Sequence, residues 1–183
     1  MATTGAAPAI AVIAGSFLSG NQCLHTHPQP HQNKTNQLGA MMNVFLLTVP
    51  AVLETTTEPG QLLRHWRRIF LNGHVKGPAI CLTTTSLYAI AAVGRYLTGD
   101  AWLVFAAAGL STIGMVPFTL TLMQPTNSAL FRLEGDARKG SVAAWRDVEQ
   151  LVRKWNRLNA VRALFPLAGA ALGMLGSLGV IAF

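Results

Sequence analysis

Acidic residues are the scarcest resource in this chain: 7 Asp and Glu among 183 residues, with all charged types together at 11%. Ordinary soluble domains carry about 25% charged residues, so a uniformly solvated globular surface is excluded. Cysteine is equally sparse. Cys23 and Cys81 stand alone, neither in a CxxC or other metal-ligand spacing, which rules out a disulfide framework or a structural zinc module. No GxGxxG, Walker, HExxH, GxSxG or CxxCH sequence occurs, so the ordinary flavin, nicotinamide, haem and zinc enzymes have no support. The net charge of +7 would suit nucleic acid, yet there is no helix-turn-helix, zinc-finger or RNP motif to read it. Lys and Arg placed beside apolar spans instead suit anionic membrane lipid, and no nucleic-acid partner is expected.

What the chain has is long apolar runs. Residues 78–94 lack any charge, 101–123 form a charge-free run of 23, and 163–183 one of 21. The two longer runs can cross a hydrocarbon core, which takes about 20 residues. Gly169 and Gly173 form a small-xxx-small spacing that lets a neighbouring helix approach closely. Two shorter apolar runs, 8–20 and 40–53, are separated by the polar, proline-containing stretch NQCLHTHPQPHQNKTNQLG at 21–39. Neither flank can span alone, but joined they make one 27-residue membrane helix. Gly20-Asn21 can be encoded with a GTAA splice donor, and Thr35 to Gly39 with a branch sequence and a TTAG acceptor. Excision of 57 nucleotides would keep the frame and restore one glycine codon. Residues 21–39 therefore read as a polar insert or a retained intron. His25, His27 and His31 lie inside it beside Pro28 and Pro30, and so make a poor metal site; the sequon Asn33-Lys34-Thr35 shares their doubtful status.

The expected architecture is an all-α integral membrane four-helix bundle with interfacial amphipathic helices, one domain over 1–183. Its spans fall at about 8–20 plus 40–53, 78–94, 101–123 and 163–183. The polar chemistry sits in two connections. Residues 54–76 hold QLLRHWRRIFLNG, a basic amphipathic helix expected to end at Gly73. Residues 124–162 hold a second, with Ser141 as its expected N-cap and tryptophans at headgroup depth. These connections carry twelve of the fourteen Lys and Arg. With four spans they share a side, which the positive-inside rule makes cytosolic. A multi-pass endomembrane location is the expectation.

Two polar clusters border the apolar runs. One is the Thr126-Asn127 pair closing the third run; the other is Trp155, Asn159 and Arg162, at i, i+4 and i+7 on one helical face entering the fourth. Polar side chains at a membrane boundary are costly unless paired or used. The competing structural reading is that Thr126 or Asn127 caps a helix and Arg162 snorkels to phosphate.

The order LSG then AMM, the Trp66, Gly73 and Pro78 run, PFTLTLMQPTNSAL and WNRLNAVR together resemble the small fungal anthrone oxygenases that accompany non-reducing polyketide synthases. The resemblance covers the chain except residues 21–39. It implies oxidation of an emodin-type anthrone, a small aromatic polyketide, to the anthraquinone, with O2 as co-substrate and neither cofactor nor metal. The substrate's doubly benzylic CH2 ionises to an electron-rich anthrolate that can itself pass an electron to O2, so the protein must supply a base, oxyanion stabilisation and a dry flat pocket. On that reading His65 (or His74) is the base. Asn127, Asn159 and Arg162 hold the oxyanion, and Trp66, Thr126 and Trp155 bind substrate. The rival is a non-catalytic membrane scaffold or transport accessory of a biosynthetic pathway.

Overall fold

A computed structural model describes residues 41–181 and 183. The 8–20 half of the first span, and 21–39 with its histidines and sequon, lie outside the described residues. Among the described residues every regular element is helical, as the composition required. A π-helical turn, Val44–Thr48, runs into α1, Val49–Thr55; then come α2, Pro59–Gly73, and α3, Lys76–Thr98. Next are α4, Leu103–Ile113, and α5, Met115–Phe118, a second π-helical turn at Thr119–Met123, and α6, Gln124–Arg138. The last is α7, Trp145–Ser177. Three stretches are long and apolar enough to cross a membrane: Pro59–Thr98, Leu103–Arg138 and Trp145–Ser177, with Met41–Thr55 a shorter apolar helix. Their outward faces leave Leu82, Ile90 and Val93, Leu110 and Leu120, and Leu164 and Leu167 exposed. So much exposed aliphatic surface is ruinous in water and neutral in lipid; this is a membrane protein.

The two π turns have one cause. Val49 N–H reaches the Val44 carbonyl and Gln124 N–H the Thr119 carbonyl, each five residues back. In that register the next donors would come from residues 50 and 125, and both are proline, which has no N–H. The helix widens by one residue where its ladder must be interrupted. Helix ends follow an equally local rule. α6 closes with Gly140 N–H on the Ala137 carbonyl and Ser141 N–H on the Asp136 carbonyl, with Gly140 at φ 91°, a conformation that glycine adopts without a Cβ clash. Gly99 ends α3 in the same way, at φ 74°.

Several boundaries differ from the expected ones. The stretch holding the 101–123 run continues to Arg138, because Pro125 sits in the first turn of α6, where a missing N–H costs little. Ser141 is not an N-cap; its amide belongs to the turn closing α6, and α7 starts at Trp145. The second amphipathic helix and the fourth span are one 33-residue helix that continues through Pro166, where the Ser111 hydroxyl donates to the Phe165 carbonyl at 3.1 Å.

The described helices fall into two compact units. One contains residues 79–115 and 164–183. Here the small residues set the packing: a Cβ on Gly169 would collide with the Thr112 side chain, and one on Gly173 would come within 2.5 Å of the Tyr88 ring. The close approach read from the Gly169/Gly173 spacing is therefore present. Phe105, Ala108, Tyr88 and Ala91 make this unit's core. The other unit contains residues 41–78 and 116–163, and its core of Val49, Leu62, Leu63, Trp66, Met123, Leu130, Val148, Val152 and Trp155 draws on helices α1, α2, α6 and α7.

Candidate functional site

The residues singled out from sequence all belong to that second unit. On α2 the three- and four-residue spacing buries Leu62, Leu63 and Trp66 and turns Arg64, His65 and Arg68 outward. Trp66 lies edge-on to Trp155 at 6.2 Å between ring centroids and to Phe131 at 4.9 Å. Phe70 meets Phe131 at 5.0 Å, and the His74 ring stacks on Phe70. Edge-to-face contacts of this kind contribute about 0.5–1.5 kcal/mol each beyond area burial.

Polar groups are set into this aromatic core. On α6, Thr126 and Asn127 are buried, the latter 6% exposed, on the same face as Met123 and Leu130. On α7, Asn156 and Asn159 are buried because they continue the stripe of Val148, Val152 and Trp155 at three- and four-residue steps. Asn156 Nδ2 donates to the Phe45 carbonyl at 3.1 Å, and Asn159 Nδ2 to the Met41 carbonyl at 3.4 Å. The first bond has a clear origin: Phe45 is the carbonyl left without a backbone donor by Pro50 in the π register. Asn159 Oδ1 in turn accepts from Arg162 Nη2 at 2.6 Å.

Six buried side-chain atoms in this unit make no hydrogen bond within the protein. They are Trp66 Nε1, Trp155 Nε1, Thr126 Oγ1, Asn127 Oδ1, Asn156 Oδ1 and Arg162 Nε. A buried polar atom left unpaired costs about 1–3 kcal/mol, so six in one small unit are a heavy penalty for a purely structural core. Together they offer indole, hydroxyl and guanidinium donors, with amide oxygens as acceptors. That inventory suits a flat aromatic molecule bearing carbonyl and phenol oxygens.

The structure thus gathers Trp66, Thr126, Asn127, Trp155, Asn159 and Arg162 into one unit and leaves His65 exposed, outside the buried set. His74 is exposed too, reaching the aromatic core only through Phe70. Residues the sequence reading passed over are Asn156, Phe131 and Glu134. Glu134 is 5% exposed; its Oε1 accepts from Arg138 Nε at 2.6 Å, while Oε2 lies 3.7 Å from Arg67 Nε. Its position was recoverable, since Asn127, Leu130 or Phe131, and Glu134 recur at helical spacing. Among the described residues no three His, Cys, Asp or Glu side chains converge as a metal-ligand set.

The depth of the cluster can be read from the outward faces. On α7 the exposed residues change from Arg153, Lys154 and Arg157 to Val161, Leu164 and Leu167, so the boundary of the apolar zone falls beside Asn159 and Arg162. On the Leu103–Arg138 stretch the change comes after Leu122, just before Thr126 and Asn127.

A protein-family model described as anthrone oxygenase matches residues 66–172, a range that contains every buried residue of this cluster carried by α2, α6 and α7 from Trp66 onward. The chain is 45% identical over 175 residues to a noranthrone monooxygenase of Aspergillus flavus, covering 95% of this chain and 74% of that one. It is 48% identical over 145 residues to a monooxygenase of Dothistroma septosporum, covering 79% and 78%. With an anthrone oxygenase of Paecilomyces divaricatus the identity is 41% over 177 residues, covering 95% and 96%. No solved structure matches.

Proposed function

The chain belongs to the anthrone oxygenase family, and we propose that it is a membrane monooxygenase that converts a polyketide-derived anthrone of the emodin-anthrone type into the anthraquinone, using O2 and no organic cofactor or metal. The observation that carries this reading is the set of unpaired buried donors and acceptors, the indoles of Trp66 and Trp155 among them, within one unit beside the edge of the apolar zone. An anthrone is planar and apolar, so it partitions into lipid. A site at the edge of the apolar zone can take it from there while keeping water scarce.

In this mechanism the tricycle packs against the contacting indole rings of Trp66 and Trp155, and Thr126 orients a phenolic oxygen. Arg162, held through Asn159, and Asn127 face the carbonyl oxygen on which charge develops when the methylene loses a proton. Donors fixed in place before the charge appears lower the barrier most, because they need not reorganise. Asn127 contributes through its amide N–H, its Oδ1 being free for a phenol O–H. Once formed, the anthrolate reduces O2 directly; the protein's task is to ionise the substrate and hold it.

The test is oxygen uptake and quinone formation by membranes containing the protein, given emodin anthrone or noranthrone anaerobically and then exposed to air. Empty-vector membranes run alongside because anthrones also oxidise unaided. Quinone formation well above that background, without added reductant and insensitive to chelator, is the expected result. Arg162→Ala and Asn127→Ala should each lower turnover about 10²–10³-fold, the usual loss for one oxyanion donor, with normal membrane levels. Background rates with both anthrones would hand the lead to a scaffold role, and full activity in both variants would remove this site assignment.

A further inference from the structure

The oxidation proposed above needs a base, and the exposed His65 stands outside the buried cluster. We propose that Glu134 is the proton acceptor for the anthrone methylene. This rests on the anthrone-oxidation reading and assigns its missing group.

Three observations carry it. Glu134 is the only carboxylate among the described residues that is buried, and it lies in the unit that holds the aromatic core and the unpaired polar atoms. It shares a helical face with Asn127, seven residues earlier on α6. Seven residues rise about 10 Å, and the carbonyl and methylene of an anthrone occupy opposite corners of its central ring. A tricycle set across that face, its carbonyl-to-methylene axis parallel to the helix and its carbonyl at Asn127, turns its methylene towards Glu134. Phe131, between them on the same face, makes edge contacts with Trp66 and Phe70, so aromatic rings lie between the two polar groups.

The ion pairs are compatible with the role. Each carboxylate oxygen has two lone-pair directions. Arg138 uses one on Oε1, and Arg67 lies beside Oε2, so lone pairs remain to receive a proton. These two guanidinium groups are the charged partners of Glu134, one from α2 and one from its own helix. When the proton arrives their charge is no longer matched by the carboxylate, and it favours the anthrolate instead.

The steps balance as follows. A Glu134 oxygen takes one proton from the methylene carbon, and the C–H electron pair delocalises onto the carbonyl oxygen. The anthrolate gives one electron to O2, producing a carbon radical and superoxide, which combine through a new C–O bond. The peroxide anion recovers the proton from Glu134. The carboxylate then removes the second C–H proton as the O–O bond breaks; hydroxide leaves and is protonated to water. One methylene and one O2 have become one carbonyl and one H2O.

Glu134→Gln keeps the shape and removes the basicity. The expected outcome is a fall in kcat of at least about 10²-fold, within the range assigned to general-base catalysis, with KM changed less than about threefold. The deficit should shrink as pH rises to where the anthrone ionises in water, because the substrate then arrives already deprotonated. Arg67→Gln removes the tie between α2 and α6 but keeps the carboxylate, so it should retain at least ten times the kcat of Glu134→Gln. Equal losses in Arg67→Gln and Glu134→Gln, at every pH, would mean that Glu134 only holds the helices together, and would overturn the proposal. Full activity in Glu134→Gln would overturn it too. In either case an active unsubstituted enzyme leaves the anthrone-oxygenase reading standing, whereas an inactive one refutes that reading first.

Discussion

At the scale of single residues, the molecule shows how one proline dictates the identity of a side chain more than a hundred positions away. Pro50 has no amide hydrogen, the Phe45 carbonyl consequently has no backbone donor, and Asn156 Nδ2 supplies one at 3.1 Å. Asn156→Ala is expected to destabilise the detergent-solubilised protein by about 1–2 kcal/mol, combining a lost interhelical hydrogen bond with an orphaned carbonyl. Pro50→Ala restores an N–H that can close the ladder. In that background the cost of Asn156→Ala should fall by at least about 0.5 kcal/mol, the coupling expected of groups that share a partner. Thermal denaturation of the two single variants and the double variant checks this, and identical costs in both backgrounds would break the link. The same scale explains what sequence could reveal of the site. Trp155, Asn159 and Arg162 were visible because they lie on one helix, where spacing alone puts them on one face. For Glu134 spacing marks the face but not the burial, which depends on α2 packing above it; charge in RLEGDAR looks solvated until that packing is known. His65 lies outside the buried set for the converse reason: RHWRR contains one fully buried residue, Trp66, and the histidine beside it points elsewhere.

At the scale of elements, the helical class and the apolar cores of the spans were plain from runs of uncharged residues, and Gly73 marked the end of α2 correctly. Boundaries differ where an apolar run and its polar neighbour share one continuous helix. Pro125 does not stop its helix, since a missing N–H in the first turn costs little, and the last helix likewise continues through Pro166. The first span poses a different problem, because its two halves are separated by nineteen polar residues in the sequence. The described part, Met41–Thr55, is 15 residues long, about 22 Å at 1.5 Å per residue, and short of the roughly 30 Å of a hydrocarbon core. Fusing it to residues 8–20 would supply the missing length. We infer that residues 21–39 translate an unspliced intron and that the functional protein lacks them. Sequencing the mature transcript is decisive: a major message lacking those 57 nucleotides is expected, and their presence in every message ends the idea. If the shorter form exists, its membranes should also be the more active in the quinone assay.

At the scale of the whole molecule, the segregation of charge is the organising fact. Of the thirteen Lys and Arg among the described residues, twelve lie in the unit built from residues 41–78 and 116–163, and only Arg95 belongs to the other. Arginine and lysine near span ends resist translocation, so the side that holds them is expected to be cytosolic. The turn at Gly99 and Asp100, joining α3 to α4, carries one acid and no lysine or arginine between Arg95 and the apolar run that follows. It should therefore face the lumen, one membrane crossing away from the turn at Gly140 and Ser141. Single-cysteine reporters at Asp100 and Ser141, in a chain with Cys23 and Cys81 replaced by serine, make this measurable in sealed microsomes. A membrane-impermeant maleimide should label Ser141→Cys at once and Asp100→Cys only after detergent is added. The reverse pattern would keep the number of crossings and invert the protein. Labelling of both positions without detergent would mean that Leu103–Arg138 does not cross, despite a length of about 54 Å, and the boundary depth assigned to Thr126 and Asn127 would fall with it. The expected pattern puts the polar cluster at the cytosolic edge of the apolar zone. An anthrone released into the cytosol could then reach it through one leaflet, without crossing the bilayer.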